Sequence, residues 1–488
     1  MNPIFILLTL TAYFALLFTV SYLSGRKADN AGFFTGNRRS SWYVVAFAMI
    51  GASISGVTFV SVPGMVGANG FGYLQMVLGF IVGQFIIAYV LTPLFYRMNL
   101  VSIYGYLENR FGKSSYRTGA WFFFLSKMLG ASVRLFLVCL TLQLLVFQPY
   151  GLPFLLNVFI TVALVWLYTF RGGVKSLVWT DSLKTFCLIV SVVLCIGYIA
   201  SDMHFTFGSL YTLLDEKGLS RTFYFDDVNS RQYFFKQFLA GIFTMIATTG
   251  LDQDLMQRNL SCKNFRESQK NMMVSILMQT VIIFLFLMLG GLLYLFAESH
   301  QIHVEKSDEL FPLIATGGYF PIVVGILFIV GLVSSAYAAA GSALTALTTS
   351  FTVDILGTDG RSEESVSRLR QRVHLGMAVL MGITLYIIHL LNNTSVIDAV
   401  YILASYTYGP ILGMFAFGIL TPWHVRDRYI PVVALVAPLC CFILDQHSEA
   451  WFSGYRFSYE LLILNALFTF LGLCLLVRKQ DTHTKGVF

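Results

Sequence analysis

The chain has 488 residues, 57% of them hydrophobic and only 12% charged, with 45 Phe, 25 Tyr and a formal net charge of +7. That balance excludes a large soluble core and describes an all-α polytopic membrane protein whose first partner is the lipid bilayer. The long apolar runs also exclude a β-barrel, whose strands alternate in hydropathy.

Hydropathy predicts about 13 transmembrane helices, each long enough to cross the hydrocarbon. In chain order they run over 3–24, 42–68, 72–97, 117–146, 151–169, 176–200, 233–257, 270–297, 320–350, 372–391, 395–420, 428–446 and 457–477. The first has no basic residue before it, and Arg26-Lys27 follow it, the pattern of a retained helix entering from outside and not of a cleaved signal. Most of the 32 Lys and Arg fall in alternate connections, starting with the first loop and ending with the tail. By the positive-inside rule those connections are cytoplasmic, so the N-terminus is outside and the C-terminus inside. A plasma (bacterial inner) membrane is the expected location. The net charge reflects this bias and does not point to nucleic acid.

No connection is long enough for an independent core, and no Gly-x-x-x-x-Gly-Lys-Ser/Thr loop occurs. An enzyme is not expected, and energy for transport must come from a gradient. The seven cysteines lie mostly within spans without ligand spacing, so no transition-metal site and no cofactor is expected.

Two spans are interrupted. The second carries Gly51, Gly56, Pro63, Gly64, Gly67 and Gly70, and the seventh breaks at Gly250 before Asp252. Unwound backbone is tolerated in a membrane only where it lines a cavity, and paired broken helices mark a transporter's binding site. Tight helix packing would explain some of the glycines but not the adjacent Pro63-Gly64. The breaks lie five spans apart, which predicts two inverted repeats over about 42–200 and 233–420 within a single transporter domain. The helices at 3–24, 428–446 and 457–477 would then be additions outside the core.

Arg134 lies in the fourth span, where a cation costs roughly 2.5–3.5 kcal/mol. Two readings stand on the residues alone: a site for an anionic group, or a permanent ion pair or snorkelling side chain. Lys127 and Lys236 read as snorkelling and receive no role. Asp252, Asp254, Gln257 and Arg258 follow the second break and read as a gating or loop-capping network. Tyr408-Gly409-Pro410 reads as a bend used in alternating access, with a static kink as the alternative.

Six strings, FFTGNRRSSW (33–42), SIYGYLENRFG (102–112), RGGVKSLVWTD (171–181), DQDLMQRNLSCKN (252–264), SFTVDIL (350–356) and YTYGPILGMFAFG (406–418), carry a family resemblance. In their order the chain is similar to the sodium/solute symporter family, of LeuT-type fold, over roughly residues 20–420. The resemblance implies cation-coupled symport of a small solute, with Na+ as coupling ion. It implies a sodium position at the carbonyls of Gly51, Ile54 and Ser335. The two hydroxyls that normally complete that position are Ala338 and Ala339 here. A second position would use Asp181 and Ser342, with Gly341 in place of another hydroxyl. Lys184, three residues beyond Asp181, is a candidate ion substitute, because i and i+3 are neighbours on a helix. That leaves a sodium-independent carrier of the same fold open as an alternative, and a membrane sensor as a third class.

For the substrate, the resemblance implies Ser53, Ser55 and Thr58 beside the first break, Gln75 from the third span, and Thr249 from the seventh. Arg134 aligns with the carboxylate-binding arginine of the family's sialic-acid carriers, within the string LSKMLGASVR (125–134). The planar guanidinium suits a carboxylate. Thr249 stands where that branch places an aromatic, which argues against sialic acid itself. The expected solute is a small, carboxylate-bearing anion.

Overall fold

The computed structural model describes residues 3–25, 41–98, 100, 102–169, 174–204, 207–357, 362–391 and 396–478. At some positions inside helices, including Asp181, Lys184 and Gln257, the side chains lie outside the described residues. Those residues are overwhelmingly helical. In chain order the helices are α1 (Pro3–Gly25), α2 (Trp42–Ser53), α3 (Gly56–Asn69), α4 (Tyr73–Arg97), α5 (Lys113–Leu142), α6 (Phe154–Thr169) and α7 (Val174–Asp202). There follow α8 (Phe234–Met245), α9 (Gln253–Asn259), α10 (Phe265–Ser299), α11 (Ile322–Ser350), α12 (Glu363–Leu391), α13 (Val396–Leu420), α14 (Ile430–Trp451) and α15 (Leu461–Leu475).

Among the described residues seven helices (α4, α5 and α10 to α14) are long and apolar enough to cross a bilayer. The pair α2–α3 makes an eighth span, bent by 54°. Shorter apolar helices occupy the expected positions of the first, fifth, sixth and last spans. The seventh expected span is the short helix α8, ending in a π turn over Ile246–Gly250.

Both breaks form where the backbone finds a local replacement for helical bonding. Ile54 leaves the helix at φ −81°, ψ 100°, and the Ser55 Oγ accepts the Thr58 N–H at 3.4 Å to start α3. After Gly250, the Asp252 carboxylate accepts the N–H groups of Asp254 (3.0 Å) and Leu255 (3.2 Å) and starts α9. Neither break leaves its new helix start uncapped.

Packing then brings the breaks together. A Cβ added at Gly241 of α8 would lie 2.2 Å from the Met76 carbonyl of α4, and one at Gly79 would lie 2.2 Å from the Phe238 carbonyl. Backbone contact of this kind needs glycine on both helices. α5 packs against α11 and α13, so the two breaks and these three helices surround one interior space.

Candidate functional site

That space is a cavity of about 160 Å³ at the level of both breaks. Its wall includes Ser53, Ser55, Thr58, Arg134 and Thr249, five of the six residues assigned to substrate from sequence. Gln75 is the exception. Its buried amide donates to the carbonyls of Gly72 (3.2 Å) and Gln232 (3.0 Å) and accepts the Tyr224 N–H at 3.0 Å. It holds the 221–232 loop against α4, outside the cavity wall.

α5 supplies two cations on one face. Lys127, Gly130 and Arg134 follow i, i+3, i+7 spacing, and all three line the cavity. A Cβ at Gly130 would meet nothing within 4 Å, so this face is open between the two cations. At 1.5 Å per residue they stand roughly 10 Å apart along the helix.

Their surroundings differ. The Lys127 ammonium donates to both Asp252 carboxylate oxygens and to Asp254 Oδ2, all at 3.1 Å. Tyr408 of α13 donates to Asp252 Oδ2 at 2.8 Å. Ser342 of α11 donates to Asp254 Oδ2 at 2.8 Å and accepts from Arg258 Nη2 at 2.6 Å. Arg258 Nε lies 3.5 Å from Asp254 Oδ1. A buried ion pair repays its desolvation only when further hydrogen bonds satisfy the remaining lone pairs, and both carboxylates meet that condition. Lys127 does not snorkel; it is the centre of this network, and its side chain is 9% exposed. The legible signal was its position seven residues before Arg134.

Arg134 is half-buried and, among the described residues, has no hydrogen-bond or ion-pair partner. The permanent ion pair weighed from sequence is therefore absent among those residues. The guanidinium instead shares the cavity wall with Tyr401 and Tyr408 of α13. Tyr73 and Tyr401, which the sequence did not single out, also line this space.

At the first break, the Ser335 hydroxyl of α11 donates to the Ile54 carbonyl at 3.5 Å. Gly51 is buried one turn before the break on α2. Ala338 and Ala339 face the cavity with methyl groups. Of the second ion set, Ser342 has its hydroxyl engaged by Asp254 and Arg258, while the side chains of Asp181 and Lys184, both on α7, lie outside the described residues. A bundle with two broken helices meeting at an interior cavity is the architecture of a secondary transporter.

A model of the sodium:solute symporter family matches residues 33–424, and the chain belongs to that family. It is a transporter that couples a small organic solute to Na+ in symport, and not an enzyme. It is 25% identical over 431 residues to sodium-coupled monocarboxylate transporter 2 of Danio rerio, covering 84% of this chain and 67% of that protein. It is 23% identical over 464 residues to the sodium/sialic acid symporter NanT of Aliivibrio fischeri, covering 88% and 86%. The fold matches the substrate-bound, outward-open structure of a Na+-coupled sialic acid symporter with a TM-score of 0.79 at 18% identity, covering 96% of this chain and 97% of that one. Family membership does not favour the sodium-independent alternative.

Proposed function

We propose that the co-transported solute is a short monocarboxylate anchored on Arg134. The unpaired guanidinium carries this reading. Within the cavity wall, Lys127 and Arg258 balance Asp252 and Asp254, which leaves the Arg134 charge for a single anionic group. Ser53, Ser55, Thr58 and Thr249 add hydroxyls around it. The cavity volume of about 160 Å³ resembles that of cavities holding one benzene, a size that favours a short acid over a nine-carbon sugar. Monocarboxylate and sialic acid carriers among the relatives both handle carboxylates by name.

Na+ sits at the first break, on the carbonyls of Gly51, Ile54 and Ser335. The Ile54–Ser335 contact supports that position, and the engagement of Ser342 by Asp254 and Arg258 argues against the second. Asp252, Asp254, Arg258 and Tyr408 act as a gate on one side of the substrate. The inverted repeats run over about 42–200 and 233–420, in a plasma membrane with the N-terminus outside.

Reconstitution into liposomes with an inward Na+ gradient, followed by uptake of radiolabelled acetate, lactate, pyruvate and glucose, tests the reading. Uptake of a carboxylate that needs Na+ and is abolished in Arg134→Ala is expected. Uptake of glucose alone, or carboxylate uptake unchanged by Arg134→Ala, refutes it.

A further inference from the structure

Tyr73, the first residue of α4, and Tyr401 of α13 bring their hydroxyl oxygens to 2.6 Å. Each phenol has one proton. Their mutual hydrogen bond uses one of the two, and among the described residues neither hydroxyl has another hydrogen-bond partner. One O–H donor is therefore left over between a buried Tyr73 and a half-buried Tyr401. Buried donors are rarely left without an acceptor. Both side chains line the cavity that holds Arg134, so an acceptor in the cavity is the missing partner.

The surroundings decide which of the two offers its proton. Arg134 lies on α5, which packs against α13, the helix that carries Tyr401, whereas Tyr73 begins α4. Tyr401 is thus the phenol on the guanidinium side. Its ring packs on Tyr459 with centroids 4.8 Å apart, and the Tyr459 hydroxyl is already given to Asp398. Either phenol can donate to the other; with Tyr73 donating to Tyr401, the Tyr401 proton is free to point into the cavity.

We infer that Tyr401 is a substrate-binding residue, donating its hydroxyl proton to the same carboxylate that Arg134 anchors, with Tyr73 as the positioning residue behind it. This rests on the anion reading of Arg134. A carboxylate has two oxygens and several lone pairs, so it can accept from the guanidinium and the phenol together. The hydrogen bond to a charged acceptor is of the stronger kind, and Tyr73 polarises the donor further. The spare donor is specific for oxyanions: an apolar or purely donating ligand would leave it unsatisfied.

The test uses the purified full-length chain in detergent, with acetate, lactate, pyruvate and N-acetylneuraminate as probes in saturating Na+. Thermal stabilisation selects the carboxylate that shifts the wild type most, and its Kd is then measured in each variant. Tyr401→Phe keeps the ring and its packing, and should weaken that Kd about tenfold or more while leaving stabilisation by Na+ alone unchanged. Tyr73→Phe should weaken it only about two- to threefold, since the Tyr401 proton remains available. An unchanged Kd in Tyr401→Phe together with lost binding in Arg134→Ala overturns the inference and leaves the anion reading intact. A larger loss in Tyr73→Phe than in Tyr401→Phe overturns it as well. If no carboxylate stabilises the wild type, or Arg134→Ala binds as the wild type does, the anion reading falls and this inference with it.

Discussion

At the scale of single residues, the cavity shows how one charge is kept available by neutralising others. Asp252 and Asp254 are the carboxylates in its wall, and Lys127 holds both at 3.1 Å. Removing a buried partner leaves its counter-charge uncompensated, which costs about 3–5 kcal/mol. Lys127→Met should therefore lower the apparent melting temperature of the purified protein substantially. Adding Asp252→Asn in that background should recover part of the loss, because a neutral amide no longer needs the ammonium. Equal melting of Lys127→Met and wild type would show that the network does not hold the broken helix in place.

At the scale of elements, the position of Pro410 inside the continuous helix α13 has a visible support. Proline has no N–H, so the carbonyl four residues back, that of Tyr406, loses its helical donor. Asn465 of α15 supplies it, donating to the Tyr406 and Ser405 carbonyls at 3.0 Å each. Gly409 lets this side chain approach, since a Cβ there would lie 2.3 Å from the Asn465 amide. A helix outside the proposed repeats thus stabilises a feature inside them. Asn465→Ala should destabilise the protein by about 1–3 kcal/mol, the penalty for stranding a buried acceptor, as read by chemical or thermal unfolding. If α13 flexes at Pro410 during transport, the same variant should also change the rate of uptake; an unaltered rate would mark Pro410 as a static position.

At the scale of the whole molecule, the proposed sodium position lies between α2–α3 and α11, and α11 offers methyl groups at Ala338 and Ala339. A hard cation gains from each added oxygen ligand. Ala338→Ser combined with Ala339→Ser should raise the apparent Na+ affinity of uptake several-fold. No change in Na+ dependence would place the ion elsewhere.

Much of this was legible from residues alone, for identifiable reasons. The interruptions were readable because backbone breaks are written in glycine and proline: the second span breaks at Ile54–Ser55, between Gly51 and Gly56, and the seventh after Gly250, whereas Pro63, Gly64 and Gly67 lie inside the unbroken helix α3. Arg134 was readable because a cation in an apolar run stands out. Ser53, Ser55 and Thr58 were placed beside the first break and Thr249 by the family resemblance, and they share one cavity with Arg134. The loop contacts of Gln75 were not legible because an amide in a span has the same sequence appearance whether it serves a ligand or a loop. Lys127 was missed because its partners lie more than a hundred residues away, on α9 and the turn before it.

The sequence by itself determined the membrane class, the family and the positions of the broken helices, since composition, hydropathy and local backbone chemistry are properties of short segments. Only the tertiary structure decided which charges cancel, which hydroxyls are spoken for and that Arg134 has no partner among the described residues. Pairing depends on distances between side chains from separate helices, and those distances are set by packing.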